Sequence, residues 1–388
     1  MQNKPSTFTV AILTAGCFLA FFVFGFTDNL KGPTLPAMLT ELHINYGTGG
    51  NIFFGEYIGF FIATLITGIL ADRFGLKLVV LLAGLLMALG VSGYSFFRTA
   101  LPLAGSLFVI GLGLGALELG PNAIIVSLHH ERKGLFLNLM SVLHGLGSML
   151  APLFAGWLFS LNFSWRVAYR WDLLLVALFV FLFLFLRFPK TKEKTQLDFR
   201  EVPNVAFKEN LPWFYLAIGS YVAVEIGIAS WLVTFLQQAR GFAVISSNRG
   251  LSLFFAAIMI GRFIGGFVVH RIGYLRSILC AAIGATLCIA AGLFITPIIL
   301  PLAGFFMSII FPTITAAVSD SHHENGNTIL GMLFTFAGIG GLIGPWLVAW
   351  GSDLLGLQMG FALAIVFMAI LLVSVIILLK RSSNGQTT

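Results

Sequence analysis

Three carboxylic acids stand in stretches of this chain that are otherwise apolar and glycine-rich: Asp28, Glu118 and Glu225. Glu118 is the only charged residue between Leu101 and Leu128. A charged side chain near the centre of a lipid bilayer costs about 2.5–3.5 kcal/mol on insertion scales, so acids placed there face an interior and serve a purpose. Burial disfavours the charged form of an acid, which suits a group that must load and release a proton. A carboxylate also accepts hydrogen bonds from a hydroxylated ligand. Asn29, Asn122, Asn138, His144, Tyr221, Trp231, Gln237 and Gln238 lie in the same apolar stretches. Amides pair with vicinal hydroxyls, and the indole of Trp231 offers a flat face for the C–H side of a sugar ring. The set fits a small neutral polyhydroxy ligand. Glu56 and Asp320 lie nearer the ends of their apolar runs, where water reaches them, and rank lower. Arg262 is deep in a run and is available to pair with an acid, which the sequence alone does not identify.

The elements that must carry these acids follow from composition. The 388 residues are 58% hydrophobic and 10% charged, with 40 Phe, and the mean hydropathy is +0.98. A soluble chain of this length needs far more charge to cover its surface. Apolar runs of about 20 residues recur instead, each long enough to cross roughly 30 Å of hydrocarbon. Twelve spans are expected: 8–30, 48–71, 77–97, 101–128, 135–160, 171–188, 212–238, 246–269, 277–296, 299–319, 326–352 and 357–379. The first run is too long for a signal peptide and is read as a span. Cys17, Cys280 and Cys288 are odd in number, lie in apolar runs and give neither a disulfide framework nor a metal spacing. They are expected to be small core residues.

Lys and Arg at the loops set the orientation. With both termini cytoplasmic, fifteen fall inside: Lys4, Arg73, Lys77, Arg132, Lys133, Arg187, Lys190, Lys192, Lys194, Arg200, Lys208, Arg271, Arg276, Lys380 and Arg381. Only Arg98, Arg166, Arg170, Arg240 and Arg249 fall outside, while Lys31 and Arg262 sit at or within a span. The net charge of +7 is thereby explained as a topology signal, and a nucleic-acid partner is excluded. The expected location is the inner (plasma) membrane of the cell.

The two halves repeat. GILADRFGLK at 68–77 returns as GFVVHRIGYLR at 266–276, and HGLGSMLAP at 144–152 returns as AGIGGLIGP at 337–345. Nearly one offset relates both pairs, and by that offset Asp28 falls opposite Glu225. The expected organisation is an N-terminal six-helix bundle, 1–188, a cytoplasmic linker, 189–211, and a C-terminal six-helix bundle, 212–388. Parallel repeats of this kind are one of the symmetric layouts of secondary transporters. No G-x-x-x-x-G-K-[ST] occurs, so nucleotide hydrolysis is not the energy source.

The G-x-x-x-D-R-x-G-x-K form of 68–77 resembles the signature loop of the major facilitator superfamily. That resemblance implies a fold of two six-helix bundles related by a pseudo-two-fold axis, with spans 1, 4, 7 and 10 lining a central cavity. In the loop, Gly68 and Gly75 allow close contact and a tight turn, and Asp72, Arg73 and Lys77 supply the charged contacts of an inward-closing gate. The second copy departs, with His270 for the acid and Leu275 for the base, and is expected to grip less strongly. More specifically, GLGALELGPNAIIV resembles the fourth-helix segment of the fucose:proton symporter family, with Glu118 at that family's embedded acid. FMSIIFPTITAAV (306–318) and NLMSVLHGLGS (138–148) are similar to its tenth and fifth helices. YVAVEIGIASWL (221–232) looks like the corresponding segment of the glucose/mannose:proton symporters, with Glu225 at the acid. One departure stands out. The family's first-helix acid falls at Gly32 here, and Asp28 lies four residues earlier, about one helical turn.

The resulting reading is a non-enzymatic, proton-coupled hexose symporter working by alternating access, with a glucose-, mannose- or fucose-like substrate. Glu118, Asp28 and Glu225 are the candidates for proton coupling. Asp28, Asn29, Glu118, Asn122, His144, Tyr221, Glu225, Trp231 and Gln237 are the candidates for substrate contact. No metal or cofactor is expected; the partners are a neutral sugar, a proton or a sodium ion, and the bilayer, and the protein is expected to be a monomer. The alternatives are a proton antiporter exporting drugs or lipids, which the Phe-rich composition favours, a sodium-coupled sugar symporter, and a non-transporting membrane receptor.

Overall fold

The computed structural model of the chain describes residues 7–186, 210–321 and 326–383. Helix is the only regular structure among them, because an apolar run in lipid must satisfy its own backbone groups. Twelve helical stretches are long and apolar enough to cross a membrane. In chain order they are span 1, Thr9–Leu42; span 2, Tyr46–Phe74; span 3, Leu76–Phe96; span 4, Ala100–Leu128; span 5, Lys133–Ser160; span 6, Trp165–Phe185. Span 7, Leu211–Ala239; span 8, Val244–Ile272; span 9, Tyr274–Phe294; span 10, Pro297–Ser321; span 11, Ile329–Leu355; and span 12, Leu357–Ser382, complete the set. The expected linker, 189–211, lies outside the described residues apart from Asn210 and Leu211.

Span 1 departs most from the sequence reading, which ended it at residue 30. It runs on to Leu42 as two helical segments, Thr7–Asp28 and Lys31–Leu42, broken at Asn29 and Leu30. Pro33 lies in the first turn of the second segment, where its missing N–H is no loss. The expected end of span 1 is therefore its middle, and Lys31 is buried there. Span 6 begins at Trp165, six residues before the expected start, and holds Asp172 in its interior. Cys17 and Cys288 are buried as expected, but Cys280 is exposed on span 9.

The chain divides into two compact units, the first holding spans 1–6 and the second spans 7–12, with residues 45–50 grouped in the second. Within the first unit, span 1 packs on span 5 and span 3 on span 6; within the second, span 7 packs on span 11 and span 9 on span 12. The two units thus use the same internal pairing. It reaches the backbone. A Cβ on Gly147 of span 5 would collide with the Phe22 carbonyl of span 1, and one on Gly340 of span 11 with the Gly219 carbonyl of span 7. Small residues at such crossings let helices approach closely in a bilayer, where packing rather than hydrophobicity drives association. The span 2–3 and span 8–9 turns match too. Gly75 has φ 85° and ψ 155° and Gly273 has φ 82° and ψ 163°, a region open essentially to glycine alone.

Candidate transport site

Each unit carries a charged cluster inside its spans. In the first, the ammonium of Lys31 donates to Asp28 Oδ1 across the break in span 1 and to Glu56 Oε1 of span 2 at 2.8 Å. Asp28 and Lys31, three residues apart, flank the break, and span 2 supplies the third group. The side chains of Lys31 and Glu56 are 5% and 2% exposed, against 17% for Asp28. The ring of Tyr57 lies under the ammonium, 4.7 Å from Nζ to the centroid. Glu56, ranked low from sequence because it stands near the start of its run, is one of the most deeply buried acids in the protein. Asp172 of span 6 is another: it is fully buried, accepts a 2.9 Å hydrogen bond from Thr27, and its second oxygen has no hydrogen-bond partner among the described residues.

In the second unit, Arg262 Nη2 of span 8 lies 3.9 Å from Glu225 Oε1 of span 7, with side chains 39% and 17% exposed. Tyr221, fully buried one turn before Glu225, is within electrostatic reach of both. The span 1–5 and span 7–11 crossings keep the expected correspondence of Asp28 with Glu225: Gly147 meets the Phe22 carbonyl and Gly340 the Gly219 carbonyl, and Asp28 and Glu225 each lie six residues after that carbonyl.

The remaining candidates separate. Glu118 is exposed while its neighbours Leu114, Leu117 and Gly120 are buried. The amide of Asn122 donates to the Glu118 backbone carbonyl at 2.6 Å rather than to its carboxylate. Asn29 is buried and spends its amide on the Gly25 carbonyl and on Ser148 Oγ, a contact between spans 1 and 5. His144 stands edge-on to Phe24, with ring centroids 4.9 Å apart, and within electrostatic reach of Asp28. The indole of Trp231 is wholly buried, its N–H donating to the Pro345 carbonyl at 3.0 Å, so no face of it is open to a ligand. Gln237 sits half-buried in a π-turn, Phe235–Ala239, that ends span 7.

In the loop, Gly68, Asp72 and Arg73 belong to the last turns of span 2, and the Asp72 carboxylate is exposed. Lys77 donates to the carbonyls of Leu184 and Leu186, each at 2.9 Å, capping the end of span 6 where a cation is favoured. A second anchor that sequence reasoning missed is Arg166, whose Nε and Nη2 grip Glu41 Oε1 at 3.1 and 2.9 Å while Trp165 donates to Oε2.

Twelve helical spans in two units with the same internal packing, the first holding a buried ionic cluster and the second a partly exposed ion pair, define a multi-pass membrane protein. Residues 17–336 match the Major Facilitator Superfamily, and the chain belongs to it. It is 25% identical over 335 residues to an L-fucose-proton symporter of Escherichia coli, covering 76% of each chain. It is 23% identical over 384 residues to the glucose/mannose transporter GlcP of Bacillus subtilis, covering 94% of each. Among solved structures, a nucleoside transporter NupG variant superposes with a TM-score of 0.82 at 14% identity, over 95% of this chain and 99% of the other. These relatives are transporters and not enzymes.

Proposed function

We propose that this protein is a proton-coupled symporter of a neutral hexose, working by alternating access of an N-terminal half, 1–188, and a C-terminal half, 212–388, joined by a cytoplasmic linker. The observation that carries the reading is the ionic cluster buried in the first unit, where two carboxylates share one ammonium. A helical bundle in lipid retains such groups only for a task such as moving an ion or binding a polar ligand. The named substrates of the fucose and glucose/mannose relatives support a sugar. In the first unit exposed Glu118, and in the second half-buried Glu225 and Gln237, are side chains open to a ligand. Coupling suffices for accumulation: one charge entering with the potential gains about 2.3 kcal/mol per 100 mV. At about 1.4 kcal/mol per tenfold, that concentrates a neutral sugar roughly fiftyfold. A nucleoside is the second reading, favoured by the likeness to the nucleoside transporter, which bears on the fold alone at its low identity. The location follows the charge of the loops: the plasma membrane, with both termini cytoplasmic.

Uptake by proteoliposomes tests this. Labelled glucose, mannose, fucose and uridine are offered with a pH gradient or a sodium gradient imposed separately. Proton-driven accumulation of a hexose is expected. Uridine uptake alone would overturn the substrate, and accumulation driven only by sodium would overturn the coupling ion.

A further inference from the structure

We propose that the proton-binding site is the Asp28–Lys31–Glu56 cluster, which loads one proton on its two carboxylates while Lys31 stays charged. This rests on the proton-coupled reading above and moves the proton away from Glu118. The charge balance carries it. Two carboxylates meet one ammonium, and the Lys31 and Glu56 side chains are 5% and 2% exposed, so water cannot screen the surplus negative charge. A buried charge without a partner is costly, and one bound proton removes it.

The tyrosines and the arginine facing the cluster do not alter the count, and His144 is the one group there that would. Tyr57 of span 2 lies against Lys31, and Tyr94 of span 3 and Tyr169 of span 6 are within electrostatic reach of Glu56 and Lys31. Tyrosines are neutral near pH 7 and contribute dipoles only. His144 of span 5 reaches Asp28. Arg166 of span 6 is committed to Glu41. The second unit supplies the contrast: Glu225 and Arg262 balance one to one and are both better exposed, so that pair needs no proton. Glu118 is exposed on span 4 and touches none of the three groups of the cluster.

The geometry also gives a route. Asp28, the most exposed of the three, takes a proton from water. Lys31, hydrogen-bonded to both acids, passes one of its own protons to Glu56 as it accepts the one on Asp28. The ammonium ends as it began, and the net change is one proton moved from water to the sealed acid. Glu56 is well placed to transmit that change. Its backbone carbonyl lies where a Cβ on Gly111 would collide, at the tight crossing of span 2 with span 4, and Glu118 follows Gly111 by seven residues, about two helical turns.

The test uses the purified full-length protein in lipid nanodiscs without sugar, followed by infrared difference spectroscopy of the protonated-carboxyl C=O stretch as pH is varied. In an Asp172→Asn background, which removes the other deeply buried acid of the first unit, the protein is expected to show a titrating band equivalent to one proton. Glu56→Gln or Asp28→Asn should abolish it, because either leaves one carboxylate for one ammonium, whereas Glu118→Gln and Glu225→Gln should keep it. Lys31→Met should roughly double it, and Lys31→Arg, which keeps the charge if the Met variant does not fold, should leave it unchanged. A band that survives Glu56→Gln and vanishes in Glu118→Gln would overturn the proposal, as would the absence of any titrating band. Because no sugar is present, an intact band beside failed hexose uptake would count against the substrate alone.

Discussion

Replacing Lys31 by Met keeps most of its volume and strands two carboxylates inside the first unit. At the observed 2.8 Å and an effective dielectric constant of about 20, the Lys31–Glu56 attraction alone is roughly 6 kcal/mol. Desolvation offsets part of that, and breaking a buried ion pair by removing one partner typically costs about 3–5 kcal/mol. With two partners stranded, the upper end is expected at neutral pH. The loss should shrink as pH falls, because protonation discharges the abandoned acids, and adding Asp28→Asn with Glu56→Gln should recover most of it. Thermal unfolding in detergent can be followed with a thiol-reactive dye, since Cys17 and Cys288 are buried until the helices part. A Lys31→Met protein as stable as wild type at neutral pH would refute the reasoning, showing that the cluster is not held by charge.

The span 2–3 turn offers a conformational test: Gly75→Ala forces a side chain into φ 85°, ψ 155° and should cost about 1–3 kcal/mol in the same unfolding assay. Asp72→Asn should slow turnover and leave sugar binding to the purified protein near normal, because the exposed Asp72 holds no buried contact; equal loss of both would show that it meets ligand. Glu118→Gln should weaken sugar affinity by about 1.5–3 kcal/mol, the worth of a hydrogen bond to a charged group, read by equilibrium binding. Outside the spans, desolvation holds His129 below its usual pKa of 6.5, beside Thr14 at 2.8 Å and stacked on Phe136. The unfolded chain then binds that proton more readily, so stability is full above about pH 6.5 and declines as pH falls through the lowered value. His129→Gln should flatten this part of the stability profile, and an unchanged profile would reject it.

Much of the architecture was legible, because lipid allows so few solutions. A run of about 20 apolar residues must be a helix, and loop charge and internal repeats follow from simple counting. The errors fell where polarity interrupts a span. In KGPTLPAMLTEL a lysine and two prolines suggested a loop, yet the prolines are absorbed by a helix that restarts at Lys31. Arg166 and Arg170 pushed the expected start of span 6 six residues past Trp165, where the helix begins. Glu56 showed the same signal as Glu118, a lone charge in an apolar run, and was discounted only for its distance from the end. The pairing of Arg262 with Glu225 and the burial of Trp231 depend on neighbours from other helices, which no local pattern records.

The interruption in span 1 bears on how the protein is made. Its first segment of 22 residues is about 33 Å long at 1.5 Å per residue, enough to cross the hydrocarbon unaided. A nascent chain can therefore seat Thr7–Asp28 in the bilayer while Lys31 is still at the headgroups, where its charge is cheap. Glu56 emerges 25 residues after Lys31, and only then does the lysine gain both of its partners. Synthesis order and ion-pair order coincide, so the second helical segment can be drawn inward as span 2 arrives rather than inserted with an unanswered charge. Glycosylation mapping of truncated nascent chains would record this as Lys31 shifting depth only in chains long enough to include Glu56.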